Sequence, residues 1–136
     1  MAEKVLVKEI LTSEMIKAGA ELVRYLDAEG IRVTSLLWWF ESESKTWQLL
    51  VALPLLSDEG PNKTYEKIQN VLSNMATEDQ PTLELAHITA IKTDDPRISS
   101  LRKMYKTKST QVSGVSVAAS TIDGHYIDDA FIYRST

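Results

Sequence analysis

The sequence predicts an α+β domain, a mixed sheet of about five strands with three helices in the order α-ββ-α-β-α-ββ. Three observations carry this. Apolar residues recur at helical spacing in three stretches, and in alternating or continuous runs in five others. Two pairs of the strand-like stretches are joined by polar or Asp-Gly turns, as antiparallel hairpins are. A helical stretch between two strands demands a right-handed crossover and a parallel pair, so the sheet is mixed with helices packed on it.

The elements follow in order. Residues 13–29 read as a helix: Ser13 or Thr12 can cap it, Glu14 suits the positive end of its dipole, and Met15, Ile16, Leu22, Val23 and Leu26 share a face. Gly30 is the stop. Before it, Val5 to Leu11 fits a short strand or an extra helical turn equally well. Residues 32–41 read as the first strand, Glu41 to Thr46 as a turn, and Trp47 to Leu55 as the second strand, with Pro54 marking its end. Gly60-Pro61 opens the second helix, where Tyr65, Ile68, Leu72 and Met75 form a stripe, and Thr77 to Pro81 closes it. Leu83 to Ile91 reads as the third strand. Thr93-Asp94-Asp95-Pro96 caps a helix running to about Tyr105, with Ile98, Leu101 and Tyr105 inward. Val112 to Ile122 and His125 to Tyr133 are the last strands, and Asp123-Gly124 between them is a type I′ turn signal.

Composition narrows the function classes. The 136 residues hold 15 Lys or Arg and 19 Asp or Glu, a net charge of −4. This length supports one domain, residues 1–136, with its own core. Mild acidity argues against general nucleic-acid binding, which scales with the phosphates neutralised. There is no cysteine, which excludes disulfides, Cys-ligated zinc, Fe–S clusters and a thiol nucleophile, and fits a cytoplasmic protein. Charges break the N-terminal apolar run, so no signal peptide is expected. The longest apolar stretch, Leu49 to Leu56, is interrupted by Pro54, too short to span a membrane. No zinc-protease pair, phosphate-cradling Gly-rich loop, nucleophile elbow or dinucleotide fingerprint is present, so neither cofactor nor metal is expected.

The first hairpin is apolar on both faces. Leu37 and Trp39 alternate with Leu36, Trp38 and Phe40, and Trp47, Leu49, Val51 and Leu53 with Leu50 and Ala52. A sheet with one wet face shows cleaner polar alternation. Either helices cover both faces or a second subunit covers one. The adjacent tryptophans favour a homodimer, with Trp38, Trp39 and Trp47 as interface residues. The plainer alternative places one tryptophan under each of two helical layers.

Other constellations are weighed against ordinary structural roles. In the last strand, Asp128 and Asp129 point to opposite faces, and His125 lies about 13 Å along the strand from Asp129, so neither pair forms a local catalytic dyad. Asp128 shares an apolar face with Val115, Val117, Ala119, Tyr126, Ala130 and Ile132. It is a weak candidate acid for a small hydrolase or ligand-binding enzyme, against a carboxylate satisfied by a neighbouring backbone or hydroxyl group. The opposite face, with Ser116, Ala118, Ser120 and Phe131, suits a shallow groove or a subunit contact. Arg97, Arg102, Lys103, Tyr105, Lys106 and Lys108 form a basic helix, residues 97–108, which suits phosphate or RNA, or is a solvated face with cations at the helix C-terminus. Glu43-Ser-Lys45 has a nuclease-like spacing but falls in the hairpin turn, where no second carboxylate on a strand holds a metal with it. His87 and His125 fall on different strands and read as sheet histidines.

The stretches Thr34 to Phe40, Trp47 to Leu55, Gly60-Pro61 with Tyr65 and Ile68, Thr93 to Pro96 and Asp123 to Arg134 together resemble a family of small uncharacterised bacterial proteins, over most of the chain from about residue 13. The resemblance implies a bacterial cytoplasmic protein and brings no activity or catalytic residue with it. The resulting expectation is a non-enzymatic, self-associating interaction module.

Overall fold

A computed structural model describes residues 10–75, 83–122 and 124–136, apart from the side chains of residues 119, 120, 122 and 125. Among these residues the elements are α1 (Ser13–Ala28), β1 (Ser35–Glu41), β2 (Thr46–Ala52), α2 (Leu55–Met75), β3 (Ile88–Ile91), α3 (Pro96–Met104), β4 (Val115–Ile122) and β5 (His125–Ser135). They form one α+β domain around a five-stranded mixed sheet of order β3-β2-β1-β5-β4. β1 pairs antiparallel with β2 and β5, β4 with β5, and β2 runs parallel to β3 across the α2 crossover, as the β-α-β pattern requires.

Local chemistry explains the element ends. Thr12 caps α1, its hydroxyl accepting from Met15 N at 3.2 Å. α2 begins earlier than Gly60: a turn from Leu55 precedes it, and Gly60 breaks the helix with φ 84°. That left-handed conformation is cheap for glycine alone. Pro61 then starts the longer run, whose Thr64 hydroxyl donates to Gly60 O at 2.8 Å. The third strand is shorter than expected, because residues 85–87 form a 3-10 turn and only Ile88–Ile91 pair with β2. His87 therefore lies exposed in that turn, not on a strand. The expected helix stop at Thr77 to Pro81, and residues 5–9 of the ambiguous N-terminal segment, lie outside the described residues.

Two cores flank the sheet. α1 and α2 cover one face, burying Leu22, Leu26, Ile68 and Leu72 against Leu36, Trp38, Phe40, Trp47, Leu49 and Val51. α3 covers the other, with Ile98 and Leu101 packed on Leu37, Leu50, Ala52, Val117, Ala130 and Ile132. The hairpin is apolar on both sides because the chain's own helices lie on both.

The three tryptophans expected at an interface take different places. Trp38 and Trp47 are 1% and 4% exposed beneath α1 and α2, so they have no surface to offer a second subunit. Trp39 faces the other way and is half-buried, with the Arg97 guanidinium 5.9 Å from its ring centroid.

A β-bulge sets the C-terminal strand. The β1–β5 register runs Leu36 with Arg134 but Leu37 with Ile132, leaving Tyr133 extra. The bulge turns two consecutive side chains, Tyr133 and Arg134, toward α1. Trp38 Nε1 donates to Met15 O and to Tyr133 Oη, both at 3.1 Å, and the Tyr133 hydroxyl donates to Ile16 O. Burial pushes the Tyr133 phenol above its ordinary value, the hydrogen bond from Trp38 opposing, so the ring stays protonated and able to donate. Gly19 is small for this reason: a Cβ there would stand 2.5 Å from Tyr133 Oη. Arg134, 1% exposed, holds Asp27 of α1 through both terminal nitrogens at 2.9 and 2.8 Å.

Candidate functional site

The basic helix is the first candidate the structure rearranges. α3 ends at Met104, so Lys106 and Lys108 lie beyond it and share no helical face with Arg97. Asp95 caps the helix, accepting from Arg97 N at 3.0 Å, and the Arg97 side chain forks back onto both Asp95 oxygens at 3.0 Å. Arg102 Nη2 donates to Thr93 O at 2.9 Å, and Lys103 is also engaged. Tyr105 packs against the second core. Two arginines of the expected patch are thus committed to the α3 N-terminus and the preceding turn.

Partial burial pushes the Asp95 carboxyl up, but the bonds from Arg97 outweigh it and hold the group below its ordinary value. Asp95→Ala is expected to cost about 1 kcal/mol at pH 7, read from urea unfolding. A depressed carboxyl stabilises the fold only above its unfolded pKa. The difference from the parent therefore shrinks as pH falls below about 4 and through the folded value.

Asp128 is half-buried, carries an interaction of its own, and lines neither of the two cavities described here. The larger cavity, about 520 Å³, opens at the C-terminal end of β2 between the end of α1 and α2. Arg32, Asp58, Lys67, Asn70 and Asn74 border it, over Ile31, Leu55 and Val71, and Lys67 is paired with Glu59 at 2.9 Å. The second, about 430 Å³, lies on the α1 side between Leu11, Ile16, Trp47, Ser116, Asp129 and Phe131. It realises part of the groove expected from the Ser116 face. Among the described residues no cluster of three or more His, Asp or Glu is placed to hold a metal ion.

The two sheet edges differ sharply. β3 has four residues, and its outward Ala90 N–H is taken by the Tyr65 hydroxyl of α2 at 2.9 Å. That edge is short and covered, as edges usually are. β4 ends the sheet on the other side with eight residues, Val-Ser-Val-Ala-Ala-Ser-Thr-Ile, none charged and none proline. No described strand pairs its outer side. Ser116, Ala118 and Thr121 are exposed, while Val117 between them is buried with α3 in the second core.

The hairpin register says which backbone groups face outward. Ile122 pairs with His125 across a two-residue turn, as the Asp-Gly signal implied, and Gly124 has φ 77°. In such a hairpin the closing pair exchanges hydrogen bonds, and alternate residues then do the same. Residues 116, 118 and 120 therefore bond inward to β5, and residues 115, 117, 119 and 121 turn their N–H and C=O groups outward. The signal for this site was present in the sequence as an uncharged strand in a chain that is 25% charged. That it lies at an edge depends on the strand order.

Among the described residues no helix is long and apolar enough to cross a membrane. The chain matches no protein family, no curated protein and no solved structure.

Proposed function

We propose that this protein is a non-enzymatic interaction module that works by strand addition at the β4 edge. One observation carries the reading: an eight-residue, uncharged edge strand that no other described strand pairs on its outer side, opposite a second edge that is short and blocked by Tyr65. An edge of this kind is a template for a further strand, the main chain supplying the affinity. The interaction surface expected at the tryptophan-bearing face moves to the rim of the sheet, since that face is filled from within the chain.

A labelled peptide with the sequence of residues 113–122 tests the reading by fluorescence anisotropy. The peptide is expected to bind, and Ala119→Pro is expected to weaken binding about tenfold. The substitution removes an outward N–H while leaving the ladder to β5 intact, the setting in which edge strands tolerate proline. Absence of binding at millimolar peptide, or equal binding to the proline variant, overturns the proposal.

A further inference from the structure

We infer that the strand added to β4 is β4 of a second copy, paired antiparallel about a two-fold axis through Ala118; this rests on the edge reading above. A two-fold that extends a sheet through like edges runs perpendicular to the sheet, so each residue keeps its face and the central residue meets itself. Centred on Ala118, the strand is complementary to its own reverse: Ser116 faces Ser120 of the partner subunit, and Val115 faces Thr121 of the partner subunit. Val117 likewise meets Ala119 of the partner subunit, a small residue against a branched one. Moving the axis to residue 119 sets Ser116 against an isoleucine and loses the match.

The backbone phase agrees with this centre. Ala118 bonds inward to β5, so across the axis it makes the close pair without hydrogen bonds. Residues 117 and 119, 115 and 121 then bond reciprocally, about eight hydrogen bonds in all. Charge agrees as well. The chain carries −4 overall, yet β4 brings no like charges together across the axis. The exposed Ser116, Ala118 and Thr121 leave room on both faces for the second sheet, and the joined sheet would have about ten strands, within known sizes.

The native absence of cysteine makes a clean test. The full chain at about 100 µM is expected to give a dimer mass by light scattering, and Ala119→Pro a monomer mass. Ala118→Cys places two cysteines about 4.5 Å apart between Cα atoms, within the reach of a disulfide, and should cross-link rapidly under mild oxidation. Thr121→Cys, on the same strand, places them about 20 Å apart and should not. A monomer mass for the parent chain, or cross-linking of both variants at equal rates, overturns the self-pairing. A monomer that still binds the 113–122 peptide removes the second copy and leaves the edge reading standing; a monomer that does not bind it removes both.

Discussion

Trp38→Ala is expected to remove about 4 kcal/mol of stability, measured as a fall in the urea midpoint at unchanged slope. The indole is 1% exposed at the centre of the larger core, and truncation leaves a cavity bounded by α1, β1 and β5. It also strands the hydrogen-bonded set. Met15 O loses its side-chain donor, and the Tyr133 hydroxyl loses the N–H that satisfies its lone pair. Against a usual total of roughly 5–15 kcal/mol this is a large fraction. Trp39→Ala serves as the contrast. Its ring is only half-buried and meets Arg97 on one side, so about 1 kcal/mol is expected. The neighbouring residue of the same type and strand thus separates core from rim. Equal losses from the two substitutions would contradict the two-layer packing.

The second large effect is expected at Asp27. Arg134 is buried at 1% exposure, and its guanidinium is met by Asp27 twice, by Gln111 O at 3.0 Å and by Val33 O at 3.4 Å. Asp27→Ala leaves a cation inside the fold with carbonyl partners only. Breaking such a pair from one side costs about 3–5 kcal/mol when both charges are buried. The Asp27 side chain is 37% exposed, and water partly replaces it, so about 2–3 kcal/mol is expected. Arg134→Met removes the charge itself while retaining volume and should cost less than Asp27→Ala. Adding Arg134→Met to Asp27→Ala should recover part of the loss, a coupling visible in a double-mutant cycle. If Asp27→Ala proves neutral, the ion pair does not anchor α1 to β5.

Most of the architecture was legible from residue order. The elements, the two hairpins and the parallel pair follow from apolar spacing and from Gly30, Gly60-Pro61, Asp95-Pro96 and Asp123-Gly124, whose effects act within a few residues. The alternation in β1 and β2 also declared that both faces of the hairpin are covered. It did not say by what, because burial by a helix and burial by a second subunit leave the same pattern in a strand. The basic run 97–108 likewise did not declare where its side chains turn. Arg97 curls back on Asp95 and Trp39, and Arg102 turns to Thr93 O, contacts made once the cap is folded.

Residue order by itself therefore determined the periodic elements, the short turns and the absence of charge from Val115 to Ile122, since these depend on covalent neighbours and local hydrogen bonding. Tertiary structure alone decided that α1 and α2 share one face with α3 opposite, and that the bulge at Tyr133 aims two side chains at α1. It also decided that β4 stands at the rim while β3 is capped by Tyr65. Those outcomes rest on contacts between residues as far apart as Ile16 and Tyr133. Strand order is a competition among long-range pairings that no local spacing encodes.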